Sequence, residues 1–351
     1  MNKTVLSAVS AALLVLASCN ERMEVPSVSE AQKVSIDISL VTDDTATKAS
    51  GSVNTSASPY QTAAEQAVNN LQVFVFSDDI LDGYVSVDNA TSTSVECTSG
   101  VRDIFCLVNA PASLGSIVSK TSLLAAVSRL SENPSSFEMI GYSEGKNIAA
   151  GGDNEIAVQV NRLASKIVVK SIENALKTGK DLKVTRVYIS NVAGQVNYGL
   201  DTYSPADGQW YNKGGYQASN NLGSFTQDIG LSATVANGSK YETNHFFYAY
   251  PNNNAQADYA AAWTPKRTML VVQIEYDGKL YDYPVDLGVD LAPNKMYVIN
   301  NLKLVNLGNL DDGEEGGKDE ENPVSGSTAQ VSVDIVDWSL VLLGSEGEIT
   351  I

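Results

Sequence analysis

The sequence predicts an all-β protein that folds as β-sandwiches with a few short helices. Segments that alternate apolar and polar residues, or that are apolar and rich in β-branched residues, recur along most of the chain. Turn-forming pairs such as Ser99-Gly100 and Asp277-Gly278 separate these segments. The 351 residues also suffice for two domains that each bury a core of their own.

Individual elements follow from the spacing of apolar residues. Ten strands are predicted, at residues 34–41, 71–76, 104–108, 156–160, 167–169, 184–189, 245–250, 270–276, 281–285 and 296–304. Residues 271–283 form the clearest hairpin, because two alternating runs flank the turn pair Asp277-Gly278. Helices are predicted for residues 122–130, where four apolar side chains share one stripe, and for residues 62–68.

The first residues have the features of a lipoprotein signal peptide. Lys3 precedes an apolar run at residues 11–17, which is too short to span a bilayer, and the motif LASC ends at Cys19. Small residues before a cysteine fit a lipoprotein signal peptidase, which leaves Cys19 as an acylated N-terminus. We therefore expect a palmitate-bearing lipid anchor. An ordinary signal peptide with a chance cysteine is the alternative.

Charge and cysteine content narrow the function classes. The formal net charge is −18 and the pI is near 4.4, which excludes a nucleic-acid partner because phosphate binding needs a basic face. The acidity fits solubility outside the cell. Cys97 and Cys106 sit asymmetrically about a turn, so we expect two buried free thiols, with a disulfide as the alternative.

Two segments interrupt the strand pattern. Residues 43–59 are rich in Thr, Ser, Ala and Gly without apolar periodicity, which predicts an exposed, cleavable loop. Residues 306–328 are acidic, Gly-rich and poor in apolar groups, which predicts a solvated, flexible tether. A strand pattern resumes after this tether.

Two segments near opposite ends of the chain share one strand pattern. VSIDISL (34–40) follows the leader, and VSVDIVDW (331–338) follows the acidic segment. A groove that accepts the first would accept the second with small changes in volume, which favours strand exchange between subunits. Two ordinary strands of one sheet are the alternative. The predicted displaced residues are Val34, Ile36, Ile38 and Leu40, and the predicted donor residues are Val331, Val333, Ile335 and Trp338.

Six short motifs occur in order along the chain: NLQVFVF (70–76), IFCLVNAP (104–111), RLASKI (162–167), VYISNV (187–192), FYAYPN (247–252) and NKMYVI (294–299). With the LASC motif, they resemble the fimbrillin family, the lipoprotein-type pilins of Bacteroidia. The resemblance implies two tandem transthyretin-like Greek-key β-sandwich domains. The implied division is a signal peptide (1–18), a propeptide with the first exchange strand (19–48), an N-terminal domain (49–160), a C-terminal domain (161–305), an acidic flexible linker (306–329) and donor strands (330–351).

The resemblance also implies a route of assembly. The lipid-anchored precursor sits in the cell outer membrane, and a trypsin-like surface protease cuts the loop behind the first strand. That strand leaves a groove, which the C-terminal strand of another copy or a related pilin fills. The matching basic residue is Lys48, so the processed chain begins at Ala49; the family more often has Arg there. The product is a structural subunit of an extracellular fimbrium that supports adhesion, with a host or glycan ligand.

Catalytic and metal sites are not predicted. The motif G-x-S-x-G around Ser143 lacks a following helix, and His245 is the single histidine, so no hydrolase triad is expected. One histidine and dispersed cysteines also argue against a transition-metal site, and no cofactor motif is present.

Two other functions remain open at this stage. One is a different role in the same fimbria, as a non-polymerising anchor or as a tip subunit. The other is a surface glycan-binding lipoprotein, because an aromatic cluster falls in a Gly- and Asn-rich stretch at residues 201–223. That cluster consists of Tyr203, Trp210, Tyr211 and Tyr216.

Overall fold

Strands dominate the computed structural model, which describes residues 31–41, 62–133, 136–200, 209–255 and 262–338. The helices in this part of the chain are short: α1 (Ala63–Gln66), α2 (Lys120–Ala125) and α3 (Lys318–Glu321). Single 3-10 turns occur at Ala112–Ser116, Leu130–Glu132 and Gly223–Phe225. No helix among the described residues is long and apolar enough to cross a bilayer.

The strands of the first half are β1 (Lys33–Val41), β2 (Asn70–Ser77), β3 (Ile80–Asp88), β4 (Ser92–Thr98), β5 (Gly100–Val108), β6 (Val127–Arg129), β7 (Met139–Ile148), β8 (Glu155–Gln159), β9 (Asn161–Arg162) and β10 (Ser165–Val169). Those of the second half are β11 (Ile172–Asn174), β12 (Leu182–Ser190), β13 (Val192–Ala193), β14 (Gln195–Asn197), β15 (Trp210–Tyr211), β16 (Gln227–Val235), β17 (Lys240–Tyr241), β18 (His245–Ala249), β19 (Met269–Tyr276), β20 (Lys279–Asp286), β21 (Lys295–Ile299), β22 (Leu302–Leu304), β23 (Asn309–Leu310), β24 (Ala329–Gln330) and β25 (Val333–Asp337).

Two sheets enclose the first core. One has the order β4-β1-β8 and the other the order β3-β2-β5-β7-β9. Their inner faces supply the same apolar cluster, for example Ile38 from β1, Val73 from β2 and Cys106 from β5. This arrangement is a β-sandwich, because each sheet buries one face against the other.

The second half of the chain forms another layered β-structure. A five-stranded sheet, β16-β12-β19-β20-β23, shares its apolar cluster with the sheets β18-β10-β21-β25 and β17-β11-β22-β24. The same cluster continues to the outer face of β2 and β5, where Phe74 and Phe105 contribute. The expected all-β fold is confirmed, and the apolar contact between its two halves is continuous.

The predicted strands agree well with the structure. Each of the ten segments overlaps a strand, although residues 296–304 are divided into β21 and β22. The hairpin is confirmed as β19 and β20, with Asp277 and Gly278 at φ 53° and 77°. Positive φ at both turn residues matches the tight turn that suits the twist of two strands. Cys97 and Cys106 are buried free thiols, as predicted.

The helix predicted for residues 122–130 is wrong in its second half. Ser119 caps α2 by accepting a hydrogen bond from the backbone N–H of Ser122, and the helix ends at Ala125. The chain then forms β6, which pairs with β14. Tertiary pairing therefore overrides the helical spacing here. In the other predicted helix, residues 62–68, only α1 is helical.

Candidate functional site

β1 is the central strand of its three-stranded sheet. It runs antiparallel to β4 over seven residues and parallel to β8 over five. Ile36, Ile38 and Leu40 are 0%, 1% and 5% exposed, and Val34 is half-buried, whereas the alternating residues face solvent. The predicted displaced residues therefore form one buried face, as the period of two requires.

Loss of β1 would open the first core. Its three buried side chains belong to a cluster of fifteen buried residues. Each fully buried aliphatic side chain contributes about 1.5–3 kcal/mol, so the three contribute roughly 5–9 kcal/mol. That amount is comparable to the whole stability of a typical domain, about 5–15 kcal/mol. The gap between β4 and β8 would be two strand spacings, about 10 Å, which is the width that one strand fills.

The tail strand β25 lies on the edge of a sheet in the second half of the chain. It pairs antiparallel with β21, and its other edge has no strand partner among the described residues. Ile335 is 49% exposed, and Val331 and Val333 are half-buried against the core. The apolar face predicted for the donor is thus only partly covered, in contrast to the matching face of β1.

Trp338, directly after β25, is the one predicted donor residue that is fully buried. Its backbone N–H donates to the carbonyl of Asn294 at 3.0 Å, and its indole Nε1 donates to Oε2 of Glu65 at 3.1 Å. Its carbonyl accepts a hydrogen bond from Nη1 of Arg162 at 2.5 Å. Both backbone groups and the indole N–H are therefore satisfied, as burial requires.

The acidic segment between β22 and β25 differs from the predicted solvated tether. Glu320 and Glu321, in α3, are only 3% and 6% exposed. Tyr188 donates to Oε1 of Glu320 at 2.9 Å, and Lys266 lies 3.2 Å from Glu321. Paired and hydrogen-bonded charges can be buried, which composition alone does not reveal. The prediction that this whole segment is solvated is therefore wrong.

A third buried carboxylate lies outside this segment and faces it. Asp282, in β20, is 0% exposed; its Oδ1 accepts from Gln273 at 3.2 Å, and its Oδ2 has no hydrogen-bond partner. Burial raises the pKa of Asp282 to about 8, and the charges of Glu320 and Asp311 act in the same direction. Burial also raises the pKa of Glu320 to about 7.

The predicted processing residues cannot be placed. Cys19, Lys48 and Ala49 lie outside the described residues. Their roles in lipidation and cleavage remain predictions from the sequence.

The residues weighed for catalysis occupy ordinary structural positions. Ser143 lies inside β7, not at the turn from a strand to a helix that a nucleophile elbow needs. The ring of His245 is buried, and its Nδ1 lies 2.6 Å from a carboxylate oxygen of Asp228. Within the described ranges, no three His, Cys, Asp or Glu side chains are grouped to hold a metal ion.

Of the aromatic cluster weighed for glycan binding, Trp210 is internal, whereas Tyr211 and Tyr216 are half-buried. Trp210 is fully buried, with its ring centroid 5.6 Å from that of Trp263. Tyr216 packs under Arg186, whose Cζ lies 3.7 Å from the ring centroid, and Tyr203 lies outside the described residues. A buried indole cannot stack on a sugar, so Trp210 offers no platform for one.

Sequence reasoning missed a buried carboxylate that links distant parts of the described chain. Glu65, at the end of the chain's least periodic region, is 0% exposed and bonds to residues that are about 100 to 270 positions away. No local pattern marks it. The only signal was Arg162 and Lys166, two cations in an apolar segment that need a buried anion.

Similarity to known proteins lies in the fold. No family model and no curated protein matches the sequence. A proposed cell adhesion protein from Parabacteroides distasonis matches with a TM-score of 0.60 and 16% identity, over 89% of this chain and 98% of that one. A fimbrilin from Porphyromonas gingivalis matches with a TM-score of 0.57 and 14% identity, over 88% and 98%. The tip fimbrial protein Mfa3 of the same species has a TM-score of 0.53 at 14% identity, over 88% and 100%. The chain shares the fold of these fimbrial proteins.

Proposed function

We propose that this chain is a fimbrillin-type structural subunit of a surface fimbria, polymerised by exchange of β1 for the tail of another copy. One observation carries the proposal: the same strand pattern is a buried central strand at one end of the chain and a half-exposed edge strand at the other. A buried central strand creates a groove when it leaves. An exposed edge strand of the same pattern is suited to fill one.

The shared fold supports the same role. The matched proteins include a fimbrilin and a tip fimbrial protein, and they are covered almost end to end. The six ordered motifs and the LASC motif at Cys19 agree with such a relationship. We infer that the chain is exported as a lipoprotein and held on the outer membrane until it is processed.

Processing starts the exchange in this proposal. A trypsin-like surface protease cuts after Lys48, in the Thr- and Ser-rich loop, and separates β1 from the rest of the chain. The open core then favours capture of a strand, because exposed apolar surface and two unpaired strand edges are costly in water. Each subunit offers a groove at one place and a tail at another, so the contact does not close on itself and a filament grows.

The test compares precursor and assembled forms. N-terminal sequencing of purified surface fimbriae should give a start at Ala49, and the membrane-bound precursor should carry an acylated Cys19. Purified full chain treated with trypsin should lose residues before Ala49 and form a ladder of high-mass species on non-denaturing gels.

Lys48→Gln provides the matched control, because it removes the cleavage site without changing β1 or the tail. It should prevent both the new N-terminus and the ladder. Fimbriae whose subunits retain residues 33–41, or ladders that form equally well from Lys48→Gln, would contradict the exchange of β1. Fimbriae in which the chain retains Cys19 and appears once per filament would instead place it as an anchor.

A further inference from the structure

The carboxylate of Glu65 is the centre of a closed polar cluster. Its Oε1 lies 2.7 Å from Nζ of Lys166 and accepts a hydrogen bond from the hydroxyl of Tyr248 at 2.7 Å. Its Oε2 accepts from the indole of Trp338 at 3.1 Å. Arg162 donates to the backbone carbonyl of Glu65 from Nη2 at 2.6 Å and from Nε at 3.1 Å. A buried carboxylate with these partners holds the indole N–H in one position.

Aromatic and cationic groups enclose the indole of Trp338. The ring of Phe137 meets it edge-on with centroids 5.2 Å apart, and the ring of Tyr248 stacks at 5.8 Å. The Cζ atom of Arg162 lies 4.6 Å from the indole centroid. Arginine over tryptophan is the favourable cation–π geometry, and the aromatic contacts add to the burial. The pocket therefore suits an indole in size, polarity and charge.

The strand before Trp338 is held mainly through its backbone. β25 is paired with β21 from Val333↔Ile299 to Asp337↔Lys295. Ile335 remains 49% exposed, and the Asp334 carboxylate accepts a hydrogen bond from Asn300 at 2.5 Å. Main-chain bonds of this kind give register and affinity with little side-chain selectivity. The selectivity of the site therefore comes from the indole pocket.

The pocket is built from parts of the chain that do not include the tail. Glu65 precedes β2, Phe137 precedes β7, Arg162 and Lys166 lie at β9 and β10, and Tyr248 lies in β18. The bonds from Glu65 to Lys166, Tyr248 and Arg162 do not involve Trp338. A cleft of about 300 Å³ adjoins the pocket and shares Phe137 and Tyr248 with it. Release of the tail would therefore leave these bonds between the pocket walls intact, and the cleft gives access from one side.

We propose that this pocket and the edge of β21 form a recognition site for an extended peptide segment that ends in tryptophan. Its ligand is the tail of this chain, bound in cis in the structure and in trans when the tail comes from a second copy. This site differs from the groove under β1, because it is formed by β21, β10, β18 and the segment before β2. We name it the Trp338 slot.

The slot has a consequence that rests on the proposed function. While Glu65 holds the indole of Trp338, the whole tail cannot enter the β1 groove of a neighbouring subunit. Strand donation then requires release from the slot, so the Trp338 slot restrains polymerisation. The peptide-binding property itself does not depend on strand exchange.

Binding in trans is tested with the uncut full chain, in which β1 stays in place and its groove is closed. Val333→Asp and Trp338→Ala together weaken the hold of the chain's own tail. A fluorescent synthetic peptide of residues 329–339 is then titrated with this variant, and fluorescence anisotropy reports binding. We expect saturable binding, at least tenfold tighter than binding to the unchanged chain, whose own tail fills the slot.

Two peptide variants distinguish binding in the Trp338 slot from nonspecific binding. Because the changes are in the peptide, the fold of the receptor chain is not affected. The peptide with Trp338→Ala should bind at least tenfold more weakly, because it lacks the indole. The peptide with Ile335→Ala should bind within about threefold of the native peptide, because that side chain faces solvent in the slot. In the β1 groove the order would be reversed, since the position matching Ile335 is Ile38.

Three results would overturn the proposal: no binding to the double variant, equal binding of the Trp338→Ala peptide, or equal binding to the unchanged chain. Glu65→Gln in the receptor should also weaken binding at least tenfold while circular dichroism confirms the fold. Peptide binding without any polymer in the trypsin experiment would leave the slot intact and refute only strand exchange.

Discussion

Ile335→Asp is the substitution that best separates the folding of the monomer from its assembly. In the structure this side chain is 49% exposed on an edge strand. Removing a half-buried isoleucine costs roughly half of the usual 1.5–3 kcal/mol, and aspartate in a strand adds less than about 1 kcal/mol. We therefore expect the monomer to lose about 1–2 kcal/mol and to remain folded.

The same substitution has a much larger effect in the β1 groove. The patterns VSIDI and VSVDI place Ile335 where Ile38 lies, and Ile38 is 1% exposed. The groove would lose the full contribution of a buried aliphatic side chain, about 1.5–3 kcal/mol. It would also have to bury a carboxylate without a partner, which costs several kcal/mol more. A total near 5 kcal/mol corresponds to a loss of affinity of roughly a thousandfold or more.

The assay combines thermal unfolding of the uncut chain with the trypsin-induced ladder. Ser332→Asp is the matched control, because it introduces the same charge three residues away on the exposed face, where Ser35 lies in β1. Ile335→Asp should shift the melting temperature only slightly and abolish the ladder, while Ser332→Asp should retain both. A normal ladder from Ile335→Asp would refute the equivalence of the tail with β1.

Three further predictions concern pH, thiols and processing. Asp282 and Glu320 have folded pKa values raised to about 8 and about 7, so ionisation of both carboxyls opposes folding as pH rises through about 4 to 8. Asp282→Asn should therefore raise the melting temperature at pH 8 and change it little at pH 4, where this destabilisation only begins. Burial raises the pKa of Cys97 to about 11 and that of Cys106 to about 12. A thiol reagent at pH 8 should therefore modify neither cysteine until denaturant is added. Rapid labelling of either cysteine in the folded chain would contradict their burial. When Lys48→Gln is expressed in the producing cell, the chain should remain acylated and bound to the membrane. Release of the subunit from the membrane in wild-type amounts would exclude Lys48 as the cleavage site.

The fold was largely predictable because most core strands can be recognised from their own residues alone. The interior strands β2, β12 and β19 each contain a run of three or four consecutive apolar residues, so their apolar and β-branched content identifies them without knowledge of the partners. Strand β7 was missed because its second half, with Gly145 at φ 66°, is exposed and polar. Strands of two residues, such as β13 and β15, exist only through pairing and have no signal of their own.

The site was predictable only in part. The exposed and buried faces of β1 follow from alternation, and the structure has them as predicted. The burial of Trp338 against Glu65 joins residues 273 positions apart, and no periodic pattern relates them. The acidic segment was misjudged for a similar reason, since the burial of Glu320 depends on Tyr188 and Arg186 in a distant strand. Composition measures how many charges a segment has, but not whether the fold supplies their partners.

The asymmetry between the two ends of the chain explains why cleavage, and not thermal motion, would start assembly. Spontaneous release of β1 would expose side chains whose burial contributes roughly 5–9 kcal/mol to the free energy of folding. At equilibrium, the form without β1 in place would therefore be rarer than about one molecule in several thousand. Of the predicted donor residues, release of the tail exposes one fully buried side chain, Trp338, together with one edge of β21. We therefore expect the tail to leave and return more readily than β1, whose release exposes three buried side chains. In the proposed mechanism, cutting the chain between β1 and β2 would turn the departure of β1 into a dissociation that dilution makes irreversible, and only then would a free tail find an open groove.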